Sequence, residues 1–107
     1  MKTFPSATII TLKQRLNYVK GSIVNEIVTK DKGGQIILFA FDKGQELKEH
    51  TAPFDAILQI VEGSAEIHIN KERFKMKEGD IIILPANIPH AVYGTSEFKM
   101  LLTMIKG

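Results

Sequence analysis

Apolar and polar residues in this chain recur in short runs, broken roughly every 6–12 residues by glycine, proline, asparagine or aspartate. Near the start, Ala7 to Ile10 reads as a short extended segment, and Thr11-Leu12-Lys13-Gln14 has the form of a capping box opening a helix. Leu12 and Leu16 would share one face, and Gly21 would stop the helix after one or two turns. From Ser22 the pattern turns to strands. Ser22 to Lys30 is rich in β-branched residues and ends in the turn Asp31-Lys32-Gly33-Gly34. Gln35 to Phe41 is almost continuously apolar, as a buried strand would be.

Residues 46–50 form a further short strand that delivers His50, and Pro53 bends the chain after it. Ala56 to Val61 follows, and Glu62-Gly63 marks a tight turn or corner. Ser64 to Asn70 alternates, with Ala65, Ile67 and Ile69 on one face and Glu66, His68 and Asn70 on the other. Asn70-Lys71 is hairpin chemistry leading into Arg73 to Met76. Glu78-Gly79-Asp80 turns the chain into Ile81 to Leu84. Pro85 and Pro89 then bracket a loop that presents His90 ahead of Ala91 to Tyr93. In Phe98 to Ile105 both alternating sets are largely apolar, so this strand should be covered on both faces. About eight to ten short strands with almost no helix indicate an all-β sandwich or barrel, and a double-sheet jelly roll fits.

The 107 residues suffice for one compact domain. Residues 1–33 read as an N-terminal extension with the short helix, and residues 34–105 as the core. A hydrophobic content of 44% with mean hydropathy near zero fits a soluble globular chain. The net charge of +2 is small and its lysines are interspersed with acids, which argues against a nucleic-acid partner. Charge runs such as Lys71 to Asp80 read as solvated hairpins. There is no cysteine, hence no disulfide, thiolate nucleophile or thiolate metal site. The first ten residues lack signal-peptide character, and no apolar run approaches the ~20 residues of a membrane span. A cytoplasmic protein without a membrane partner is the expectation.

Two stretches resemble the paired motifs of the cupin family. In the first, Gly44, five residues, His50 and a later Gly63 fall at the spacing of G-x5-H-x-H-x3-E-x6-G, with Ala52 and Ala56 at the second histidine and the glutamate. In the second, Gly79, Pro85 and His90 match G-x5-P-x-G-x2-H-x3-N, with Asn87 for the inner glycine and Gly94 for the asparagine. Asparagine tolerates a left-handed backbone, so the turn at Asn87 can be kept. The resemblance covers residues 34–105. EHTAPFDAILQIVEG, LPANIPHA and FKMLLTMI are similar to a subgroup of small single-domain bacterial cupins with no shared assigned reaction. It implies a double-stranded β-helix barrel, and a homodimer through N-terminal strands, for which Ile23-Val24 and Ile27-Val28 could cover a sheet edge. It also implies that His50 and His90 face one cavity, where metal-binding members hold a divalent ion with three histidines and a glutamate.

Imidazole is a common ligand for such ions. Two histidines alone fall short of the three or four protein ligands usual for zinc. Two readings therefore stand: a divalent transition metal (Zn, Ni, Fe or Mn) at His50 and His90, or a metal-free pocket in which the rings bond each other, water or a ligand. Gln59, Asp55 and Glu49 are candidates for a third ligand, although strand parity aims Asp55 and Gln59 away from the side of Ala56. Gln59, Phe54, Phe98 and Met100 are candidate pocket-lining residues, whereas His68 reads as a surface residue. No G-x-S-x-G elbow, phosphate-binding glycine loop or H-E-x-x-H is present. Three functions remain: a small-molecule binding module with a reduced metal site, a metal-dependent dioxygenase- or isomerase-like enzyme, and a purely structural or assembly role.

Overall fold

The computed structural model describes residues 3–106. One helical turn, α1 (Leu12–Arg15), precedes seven strands: β1 (Ile23–Asp31), β2 (Gly34–Phe41), β3 (Glu46–His50), β4 (Ala56–Ile69), β5 (Glu72–Lys77), β6 (Ile81–Leu84) and β7 (His90–Ile105). All pairings are antiparallel, in the order β1-β2-β7-β4-β5, with β3 joined to β7 and β6 to β4. The all-β jelly-roll barrel with a short N-terminal helix is thus the observed fold. No helix among the described residues is long and apolar enough to cross a membrane.

Fewer strands form than the periodicity suggests because two pairs fuse. β4 runs unbroken through Glu62-Gly63, and β7 joins Ala91–Tyr93 to Phe98–Ile105. The pattern breaks at 62–63 are a corner within β4, not a chain reversal. Its register against β7 shifts between Ile60 and Glu62 and again between Gly63 and Ala65. Such irregularities bend a strand and sharpen its twist. Gly63 has φ +77°, and an added Cβ would lie 2.3 Å from the Glu97 carbonyl oxygen. Only glycine fits where the two bent strands cross this closely.

The corner lets β4 and β7 belong to two layers. Their halves Ala56–Glu62 and Phe98–Ile105 lie with β1, β2 and β6, and their halves Ala65–Ile69 and His90–Gly94 lie with β3 and β5. Phe41, Leu58, Ile60, Ala65, Ile67, Val92, Phe98 and Met100 meet between the layers as one core. At about 25 cal/mol per Å² of apolar surface, this burial is the main source of stability. Asn70 and Lys71 both have positive φ and form the expected two-residue hairpin, with Ile69 opposite Glu72.

Phe98 to Met104 is covered on both faces, as its composition suggests, whereas Ile105 is exposed. The N-terminal segment crosses the outside of β2 and β7, beneath which Leu38 and Ala40 are fully buried. Lys99 is 5% exposed on this outer face. Its ammonium donates to the Lys13 carbonyl, lies 3.5 Å from Glu62 Oε2 and sits 4.9 Å above the Tyr18 ring. Tyr18 also donates to Glu62 at 2.6 Å. The capping box itself does not form. Thr11 makes no side-chain cap bond, and the helix ends at an extended Leu16, well before Gly21. A single turn carries too little intrinsic stability to set its own ends, so docking on the sheet decides them. Ala7 has φ +55°, so Ala7 to Ile10 is a bent segment outside any strand.

Candidate metal-binding histidine pair

His50 and His90 are directly opposite each other on β3 and β7, and His90 is also opposite Ile69 on β4. His90 therefore lies in the middle of its layer and is 6% exposed, whereas His50, on the edge strand, is exposed. A register shift between Leu47 and His50 re-aims β3. It lets Leu47 pack against the core while His50, three residues later, still turns to His90.

The two rings meet edge to face, 4.4 Å between centroids at 70°, with Nε2 to Nε2 at 3.1 Å. Each Nδ1 is held by a carbonyl two residues earlier: His50 by Lys48 at 2.8 Å and His90 by Ile88 at 3.2 Å. A carbonyl only accepts, so both Nδ1 atoms carry the hydrogen and both neutral rings present an Nε2 lone pair. The two Nε2 atoms, 3.1 Å apart, are thus within reach of one cation, a shared proton or a metal ion. Burial, and then the neighbouring His50, holds the His90 pKa below its ordinary 6.5, with the Ile88 bond opposing in part.

The pair also fits a metal. With the two Nε2 atoms 3.1 Å apart, His50 and His90 would both be able to ligate one ion, which would supply Lewis acidity there. Nδ1–H bound to a carbonyl is the usual outer support of a metal-binding histidine. Among the described residues no three His, Cys, Asp or Glu side chains converge on one point. The remaining candidates are placed elsewhere. Asp55 is exposed and its Oδ1 accepts from the Ala86 N–H at 2.8 Å. Glu49 is exposed, and so is Gln59, on the face of β4 opposite the buried Ala56, Leu58 and Ile60. Phe98 and Met100 are fully buried in the core, Phe98 stacked on Phe41 at 4.4 Å. Phe54 is half-buried under the Lys106 ammonium at 5.5 Å. His68 lies on the outer face, 2.6 Å from Glu66 Oε1 and against Tyr93.

Cavities of about 520 and 450 Å³ lie away from the pair, one under the N-terminal segment and one beside Ser64 and Thr95. Sequence reasoning missed the two carbonyl supports and the register shift in β3. Only Pro89, which fixes the backbone between Ile88 and His90, hinted at the first.

Residues 37–106 match the family model of the cupin domain. The chain belongs to the cupin family. A cupin-superfamily protein from Desulfitobacterium hafniense shares 24% identity with a TM-score of 0.91, covering 99% of this chain and 97% of that one. A conserved protein of unknown function from Streptococcus pyogenes shares 34% identity with a TM-score of 0.93, covering 99% and 93%. By sequence, an uncharacterized protein of Aquifex aeolicus is 26% identical over 106 residues, covering 97% of this cupin and 88% of the relative. These similarities fix a small cupin barrel along the whole chain and assign no ligand or reaction.

Proposed function

We propose that this cupin binds a small molecule at its histidine pair, with one divalent transition metal held by His50 Nε2 and His90 Nε2. The observation that carries this reading is the approach of the two Nε2 atoms to 3.1 Å, with each Nδ1 at hydrogen-bond distance from a carbonyl. Zinc, nickel, iron or manganese accept imidazole ligands. When bound, such an ion supplies Lewis acidity and open coordination positions. The chain's own part is to fix both rings, keep His90 neutral and leave the remaining positions to a ligand with oxygen donors. Ala52 and Ala56, at the other two ligand positions of the first motif, have no ligating side-chain atom. Binding rather than turnover is the favoured role, because among the described residues no further His, Cys, Asp or Glu joins the pair as a third ligand.

The test is elemental analysis of untagged protein prepared without chelator, beside His50→Ala and His90→Ala. We expect close to one metal per chain in the wild type and almost none in either variant. Protein that stays metal-free after incubation with zinc, nickel, iron(II) and manganese would overturn the reading.

We also propose a homodimer. On the outer sheet face Ile81 and Ile83 of β6 and Ile105 of β7 are 61%, 58% and 50% exposed, and Ile83 is opposite Ile57. An apolar surface of this kind supports a second copy as its cover.

A further inference from the structure

The chain reaches His90 through Pro85 to Pro89, and this loop is tied down at several points. The Asn87 N–H donates to the Ala52 carbonyl at 2.7 Å, and the Asn70 N–H donates to the Pro89 carbonyl at 2.8 Å. Asn87 takes φ +63°, the left-handed backbone expected of it. Those ties are all main chain. One tie is a side chain: Asp55 Oδ1 accepts from the Ala86 N–H at 2.8 Å. Asp55 is itself anchored, because its carbonyl accepts from the Ile105 N–H at 3.2 Å at the end of β7. The loop so held carries the Ile88 carbonyl, and that carbonyl sets which nitrogen of His90 bears the hydrogen.

We infer that Asp55 is a positioning residue of the histidine pair, and not a ligand in it. Its carboxylate holds Ala86, Ala86 sets the path of the loop to Ile88, and the Ile88 carbonyl keeps His90 in the Nδ1–H form with Nε2 turned to His50. A carboxylate accepting a backbone N–H makes a stronger bond than a neutral acceptor and leaves little play. The inference rests on the metal-pair reading for its effect on affinity, but its effect on His90 does not need a metal.

The experiment compares wild type, Asp55→Ala, Asp55→Asn and Asp55→Glu. Ring nitrogen shifts of the metal-free proteins report the His90 tautomer, and calorimetric titration with zinc reports affinity. Asp55→Ala is expected to turn one His90 tautomer into a mixture and to weaken zinc by about 10–100-fold, as loss of an outer support does. Asparagine keeps an acceptor at Oδ1 and should restore the wild-type tautomer. Glutamate keeps the charge but displaces the acceptor, so it should give a mixture even if the alanine variant fails to fold. A folded Asp55→Ala or Asp55→Glu with the wild-type tautomer and zinc affinity would overturn the inference. If zinc fails to bind the wild type, the metal reading falls, and the tautomer of the variants still decides the role of Asp55.

Discussion

His90 carries the tension of the site. It is buried, it faces a second imidazole, and its pKa lies below the ordinary 6.5 for those two reasons in that order. Unfolded His90 takes up a proton as the pH falls through about 6.5, while folded His90 resists until lower pH. The folded state then binds fewer protons, so stability rises with pH across this window and is lost as pH falls through it. Glu26, Glu62 and Glu66 are shifted below 4.5 by hydrogen bonds from Arg15, Tyr18 and His68 respectively, so their contributions fade only in more acid solution. Metal-free protein should therefore melt at a lower temperature at about pH 5.5 than at about pH 7.5. His90→Asn should remove most of that difference. Thermal melts of both proteins at the two pH values check this, and an unchanged pH dependence in the variant would show that another group is responsible.

At the scale of elements, the glycine corner shared by β4 and β7 governs the barrel. Gly63→Ala would force a left-handed alanine with its Cβ 2.3 Å from the Glu97 oxygen. We expect a loss of about 2–4 kcal/mol, read from urea unfolding, with backbone movement at Glu97 and Phe98. A loss below about 0.5 kcal/mol would mean that the crossing relaxes freely. Gly63 was legible in the sequence as a break but not as a bend, because a chain reversal and a strand corner both interrupt apolar alternation. Only the pairing of β4 with β7 on both sides of it separates the two. The capping box failed for a related reason. Thr11 and Gln14 supply the right side chains, but one docked turn takes its ends from the sheet beneath it.

For the whole molecule, strand content, hairpin and barrel were readable because each depends on local alternation and turn residues. His50 and His90 were readable as candidates, but their approach needed a register shift in β3 and two carbonyls that no spacing reveals. Lys99 was hidden for a similar reason. An alternating strand predicts that its second face is covered, but not that a lysine there will cap the Lys13 carbonyl. The apolar face of β6 belongs to this scale as well. Ile83→Glu should leave the fold intact and give the mass of a single chain in light scattering, where the wild type gives that of two. A wild type that is itself a single chain would contradict the dimer.

The measurement that tests the central claim most directly is a zinc titration of the metal-free protein, followed at the ring nitrogens of His50 and His90 near pH 7.5. The histidine geometry predicts that both rings begin with hydrogen on Nδ1. It also predicts that the two Nε2 resonances move together and saturate at one zinc per chain. Hydrogen on Nε2 of either ring at the start, or zinc that leaves these nitrogens unmoved, would contradict it.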